Sequence, residues 1–598
     1  MKQRMRSVLA AVTMLVACGT VNAVGGPSGY AVGFKPQGQI GEVINNPYDI
    51  APLTSVIRNG GWVLKSAEVR VVPKKGGQEI RYSVGPEALR THGGIPVFGL
   101  YADHLNTVEV KYVRVNGGKD EAIDERYQIY TPPVYTEPSW GDTRSYKTFD
   151  VEIVRQAPKD FADRLYFINN LLPASPKGMR AVWNNPMGGA LQWTFHPQNA
   201  VVDTQGEVRW YMLPTSIYDP RDPYRSGMMM GFHQNADGAL SFGYGQRYAK
   251  YDLMGREIFN RRLPANYSDF SHAMAPAPDG RYFVRVASAD LRRADATRVR
   301  TVRDVVIEVD QNGNVLDEWR LFDILDPQRN IVLKSIDQGA VCLNIDLEKS
   351  GKTLTAEQIA RLEAEHEFGD ITGTGAGRNW AHVNSVDYDE ADDSIILSSR
   401  HQSAVVKIGR DKEVKWILSA PNGWSEKYRS KILTPVNAKG EALKCRLGQC
   451  EGGFDWSWTQ HTGWKIDALS GGDILYLSVF DNGDGRAFRQ PERSSEKYSR
   501  AVVYKIDQKK MTVEQVWSYG EKRGHELYSP ITSSVEYLQD KKSLLVYWAS
   551  IGLDSQTGPD PVLMEFRWGE DEPAVEMKFK GTFGYRALPI DLNRAFAK

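Results

Sequence analysis

The chain is 598 residues long and 41% hydrophobic, with 74 Lys and Arg against 74 Asp and Glu. A chain of that size buries a large core, most simply in two domains, and its balanced charge excludes a broad electrostatic footprint for nucleic acid or an anionic membrane. Any anion the protein handles has to be held by a few local side chains.

The N-terminus, MKQRMRSVLAAVTMLVACGTVNAVGG, carries Lys2, Arg4 and Arg6, then an apolar run from Val8 to Ala17, then small residues up to Ala23. The run is too short to span a bilayer and no second one follows it, so residues 1–23 read as a secretory signal. Cleavage after Ala23 is one processing route. Leu15-Val16-Ala17-Cys18 also fits a lipoprotein box, in which Cys18 would carry lipid and attach the protein to a membrane.

From about 26 to 147 the text is strands and turns, as in GWVLKSAEVRVVPKKGGQEIRYSV, with no sustained helical period. This predicts an antiparallel β-sandwich of immunoglobulin-like size. From 149 to 598 a second texture begins, in which similar hairpins recur: VVDTQGEVRWYML, YDLMGREIFN, VVIEVDQNGNVLDEW, VVKIGRDKEVKWIL and VVYKIDQKKMTVEQVW. Each is an apolar strand, a polar turn and a strand ending on Trp or another large residue. Most are preceded by an inner strand pair, which makes about six four-stranded repeats and predicts an all-β chain ending in a six-bladed β-propeller. Helical composition predicts two insertions, LFDILDPQRN and TAEQIARLEAEHEF, the second leading into GDITGTGAG at 369–377. That glycine run lacks the GKS/T ending of a phosphate loop and reads as a rim loop.

Three histidines open inner segments of one layout: His272 in HAMAPAPDGRYFVRVAS, His382 in HVNSVDYDEADDSIILSSR and His461 in HTGWKIDALSGGDILYLSVF. Equivalent positions in repeats around an axis converge, so these imidazoles should share one site at a mouth of the channel. Arg400 lies symmetric to His382 about the turn near Ala391 and should fold onto the same rim, and Thr532 with Ser533 occupies the equivalent place in the last repeat. His196, His233, His366, His401 and His525 lack the register. Three histidines alone would suggest zinc, but a neighbouring Arg repels a cation and no carboxylate is in register, so no metal is expected. The set suits a tetrahedral oxyanion: the guanidinium clamps two oxygens, a hydroxyl and imidazoles bind others, and one imidazole is left to attack. A propeller that only binds sulfated or phosphorylated ligands, and a metal-dependent hydrolase, are the alternatives.

Asp481-Asn482-Gly483-Asp484-Gly485 resembles half of a calcium loop without its distal Glu and reads as a rim turn. Cys445 and Cys450 bracket a short loop just before His461, and a disulfide is the first expectation in an exported chain. Closing so short a loop stabilises by only ~2 kcal/mol, so its role would be to hold the His461 region. A zinc pair is the other reading, with no second pair nearby at ligand spacing. Cys342 reads as a buried free thiol.

The words RNWAHVNS, DSIILSSRHQ, WTQHTGW, FDNGDGR and YSPITS, with the Cys445/Cys450 loop and NPYDIAPLT near the start, closely resemble the bacterial periplasmic arylsulfate sulfotransferases over nearly the whole mature chain. The resemblance implies an N-terminal β-sandwich, a six-bladed propeller, a homodimer and a periplasmic location. It also implies cofactor-free transfer of sulfuryl groups from a phenolic sulfate to a phenol, independent of the nucleotide PAPS. Carried over residue by residue, it makes His461 the transiently sulfated nucleophile. His272, His382 and Arg400, with Thr532 and Asn384, match sulfate-binding positions; the surroundings of His272 match least closely. A mouth lined by Trp456, Trp458 and Trp464 would then favour planar phenols over water.

Overall fold

A computed structural model describes residues 40–134, 149–173, 195–219, 221–222, 225, 227–268, 270–288, 291–292, 296, 298–299, 304–329, 331–332, 335, 357, 379–489, 494–553 and 558–598. The signal segment with Cys18, the thiol of Cys342, the glycine run 369–377 and all of TAEQIARLEAEHEF except Glu357 lie outside the described residues.

The N-terminal region forms two antiparallel sheets. One joins Val43–Asn45, Thr54–Arg58 and Gly94–Phe98; the other orders Ile80–Val84, Val63–Val71, His104–Asn116 and Lys119–Thr131. Alternation explains the second sheet: Val69, Val71, Val108, Val110 and Tyr112 are buried while their neighbours carry charge to solvent. A helix that the strand-like composition does not predict spans Pro86–His92, started by a proline in its first turn and stopped by Gly93 at φ 63°. This region is continuous with the rest of the core: Arg209, wholly buried on Asp203, also donates to the carbonyls of Gln78 and Gly99.

Among the described residues six sheets of four or five strands follow, antiparallel except where Thr434–Pro435 joins the edge of the fifth in parallel. In chain order their inner strands are Met229–Gln234 (second sheet), Met274–Pro276 (third), Val383–Asp389 (fourth), Thr462–Lys465 (fifth), Ser534–Leu538 (sixth) and Phe583–Pro589, which closes the first. Each inner strand lies against the next, and the last returns to Met229–Gln234, so they surround a channel as in a β-propeller. The ring is closed twice by the chain. The C-terminal Phe583–Pro589 pairs with Leu165–Pro173, and Asp150–Arg155 forms the outer edge of the sixth sheet beside Pro573–Lys580.

The recurring hairpins owe their turns to one local device. Asp203, Asp252 and Asp310 each accept backbone N–H groups two and four residues on, while Gly206, Gly255 and Gly313 take φ of 81°, 92° and 98°. Their large outer residues bridge sheets. The indole N–H of Trp210 donates to Leu253, that of Trp319 to Gly409, that of Trp416 to Gln508 and that of Trp517 to Glu570, each partner lying in the hairpin turn of the following sheet. Of the expected helix LFDILDPQRN only Leu321–Ile324 is helical: Arg320 in front of it makes no side-chain cap, and Pro327 follows the turn.

Candidate active site

The inner strands begin at one mouth, and the three histidines and Thr532 each stand one or two residues before their strand. His382 and His461 immediately precede Val383–Asp389 and Thr462–Lys465, while His272 and Thr532 stand two residues before Met274–Pro276 and Ser534–Leu538. The rings of His272 and His382 are 5.3 Å apart and those of His272 and His461 5.7 Å. All three are buried, as are Arg400, Asn384 and Thr532. Arg400 follows the strand paired with Val383–Asp389; its N–H donates to the His382 carbonyl at 3.1 Å and its guanidinium to the Thr459 carbonyl at 2.6 Å, two residues before His461. The Asn384 amide donates to the Gln460 carbonyl at 3.5 Å. His272, His382, His461 and Arg400 are thus brought together at this mouth, with Asn384 and Thr532 in the adjoining inner segments.

Neighbouring groups orient the imidazoles. The Asn379 amide donates to His382 Nδ1 at 2.9 Å, which leaves the proton on Nε2; the Ser271 hydroxyl bonds His272 Nδ1 at 2.6 Å and is itself held by Arg285. His382 thus presents an Nε2–H donor. His461 differs, because its Nδ1 is buried with no hydrogen-bond partner. Burial holds its imidazole well below the ordinary pKa, Arg586 and then Arg400 add to the effect, and only the Ser533 backbone carbonyl opposes it. His461 is neutral at pH 7, with a lone pair available.

The backbone here departs from the usual regions. His272, His382 and Thr532 have φ of 70°, 47° and 57°, and Ser533 85°, conformations that cost side-chain-bearing residues about 1–3 kcal/mol each and cluster where sites are preformed. The Thr532 hydroxyl donates to the Ile531 carbonyl at 2.6 Å, and Ser529, Ser533 and Ser550 form a hydroxyl network beneath it. The Asp481–Gly485 turn is tied by ion pairs of Asp481 with Arg486 and Arg500 and of Asp484 with Lys497, and Asn482 donates to the Thr532 carbonyl. Cys445 and Cys450 form a disulfide whose loop reaches the Trp458 ring at Gly448 (φ 76°); Thr459 and His461 follow that tryptophan.

Three tryptophans need correction. Trp456 and Trp458 are packed in the core of the fifth sheet with Phe454, so they do not line the mouth, and Trp464 points farther down the channel toward His233, 6.2 Å away. The aromatic ring beside the histidines is Tyr585, 5.5 Å from His461 and 6.2 Å from His272. His401, out of register by sequence, lies tilted 4.4 Å from the His382 ring through its position next to Arg400. Sequence reasoning also missed Asn379, Ser271, Arg285 and Arg586; of these Asn379 and Arg285 lay inside segments already singled out.

A ring of sheets that converges three imidazoles, a guanidinium and a hydroxyl on a single mouth has the groups needed to hold an oxyanion in a β-propeller. Residues 150–586 match the arylsulfotransferase (ASST) family model and residues 42–132 the arylsulfotransferase Ig-like domain. The chain is 41% identical over 544 residues, 88% of each chain, to arylsulfate sulfotransferase AssT of Escherichia coli O6:H1 strain CFT073, and equally to that of Lelliottia amnigena. It belongs to the arylsulfotransferase family. A solved protein of unknown function from Bacteroides caccae is similar at 12% identity and a TM-score of 0.35, over 71% of this chain and 98% of that one, too low to bear on function.

Proposed function

We propose that this enzyme transfers a sulfuryl group from a phenolic sulfate ester to a phenol through a transient sulfo-histidine at His461, without PAPS. The observation that carries this reading is a buried, neutral His461 facing fixed donors and Arg400. Its lone pair attacks sulfur, the bond from sulfur to the aryl oxygen breaks, and the phenolate leaves with that electron pair. The leaving group is weakly basic, its conjugate acid having a pKa of about 10, and a His272 or His382 N–H can hydrogen-bond it as it departs. Arg400, Thr532 and Asn384 would bind the nonbridging oxygens, where donors fixed in advance stabilise developing charge most. A second phenol then attacks the sulfo-histidine by the reverse path, giving ping-pong kinetics. The signal-like N-terminus supports export to the periplasm, and the family resemblance supports a homodimer.

The test is release of 4-nitrophenol from 4-nitrophenyl sulfate in the presence of phenol, with parallel initial-rate lines. Donor-only incubation quenched at alkaline pH should leave sulfate on the His461 peptide. Intersecting lines and an unmodified peptide would reject the covalent route.

A further inference from the structure

At the far end of the inner strands the channel widens into a cavity of about 740 Å³, lined among others by His233, Asp387, Trp464, Glu536 and Arg586. Arg586 stands on the closing strand Phe583–Pro589, next to Tyr585, and is 2% exposed. Two other buried arginines hold carboxylates, Arg209 on Asp203 and Arg500 on Asp481, each at 2.8 Å. Arg586 makes no such ion pair among the described residues. Its Nη2 donates to the Asn384 backbone carbonyl at 2.9 Å, its Nε is buried with no hydrogen-bond partner, and the guanidinium lies 5.1 Å from the Trp464 ring and 5.6 Å from that of Tyr585. A buried cation without a carboxylate is costly, and such groups concentrate at functional sites.

We propose that Arg586 is a positioning residue for transfer at His461: it sets a second positive charge beside the nucleophile, in addition to Arg400, and holds the Asn384 and Tyr585 walls of the site. This rests on the sulfuryl-transfer reading above. The charged and titratable groups around His461 are His272, His382, Arg400, Tyr585 and Arg586; those around Arg586 are His233 on the second sheet, Asp387 on the fourth and Glu536 on the sixth. Burial deep in the cavity pushes Asp387 and Glu536 up to about 7 and holds His233 down to about 3. In mildly acid solution all three are therefore neutral and the charge of Arg586 acts on His461 unopposed, keeping the imidazole unprotonated where an ordinary histidine would be charged.

The experiment is the pH profile of kcat/KM for 4-nitrophenyl sulfate, which reports the free enzyme, in the native chain and in Arg586→Met, Arg586→Lys and Glu536→Gln, each checked for folding by circular dichroism. Arg586→Met should raise the acid limb by about one pH unit, so that on the acid side of the limb activity falls roughly tenfold more than at pH 8. Arg586→Lys restores the charge and should keep the native limb while losing kcat, because an ammonium does not reproduce the planar guanidinium that bonds the Asn384 carbonyl beside Trp464 and Tyr585. Glu536→Gln alters the same cavity without removing the cation and should leave the limb in place. An unmoved limb in Arg586→Met overturns the proposal, as does an equal shift in Glu536→Gln. If the Met variant does not fold, a raised limb in folded Arg586→Lys overturns it as well, and a native limb there supports it. Sulfate on His461 in the native enzyme keeps these outcomes separate from failure of the covalent reading, which would show as no modified peptide at any pH.

Discussion

In the outer hairpins Gly206, Gly255 and Gly313 take φ between 81° and 98°, whereas at the channel mouth His272, His382 and Thr532 take 47° to 70° with full side chains. The outer turns place glycine where the left-handed region is needed and add Asp bonds to the freed N–H groups. The mouth puts reactive or binding side chains there and is supported by its surroundings, through Asn379 at His382, Ser271 with Arg285 at His272, and the serine network at Thr532. Stability is thus concentrated at the periphery and strain at the site. The two regions should respond to mutation in opposite ways.

The largest expected effect lies at the mouth. His461→Asn keeps shape but not the nucleophilic lone pair, and should cut transfer at least about a hundredfold with an unchanged melting curve, several kcal/mol in the barrier. A stopped colour assay beside calorimetry checks it. At the periphery Trp416→Ala removes a 1% exposed indole and its bond to Gln508. It should lower stability by about 3–5 kcal/mol in chemical denaturation while the folded fraction keeps near-native kcat. A normal melting curve would deny the tryptophans their role as bridges between sheets.

A smaller effect separates charge from packing. Glu536, pushed up to about 7 by burial, stays protonated in the folded protein where the unfolded chain has already ionised. Native stability therefore falls as pH rises from about 4.5 to 7 and stays reduced above that. Glu536→Gln cannot ionise, so it should be more stable than the native chain at pH 8 by of order 1 kcal/mol and equal to it at pH 4. Thermal unfolding at the two pH values reads the difference, and a gain at pH 4 would assign it to packing instead. The smallest effect measures strain directly. With φ 47° at position 382, His382→Gly should be about 1 kcal/mol more stable than His382→Ala, both being inactive. Equal stabilities would mean that the mouth stores no backbone strain there.

Much of this organisation was legible in the chain because it is local. Strand alternation, Asp and Gly in the hairpin turns and the spacing of His272, His382 and His461 from their turns act within a few residues, and antiparallel folding about Ala391 brings Arg400 to His382 by simple symmetry. Short-range pattern misled where burial decides direction. Trp456 and Trp458 flank His461 in sequence, yet their large apolar rings fill the core of the fifth sheet, since burying an indole outweighs leaving it at a mouth. LFDILDPQRN has helical composition but only one turn of helix.

The sequence by itself determined the kinds of groups and their common register: three imidazoles, a guanidinium and a hydroxyl at matching offsets of repeated hairpins. Only the tertiary structure decided what stands against them. Tyr585 and Arg586 arrive from the C-terminal strand that pairs with Leu165–Pro173, a contact spanning more than 400 residues, and Trp464 and His233 meet across the channel from different sheets. Such neighbours have no sequence signature, because closing the ring of sheets brings them together and turn chemistry and periodicity reach only a few residues along the chain.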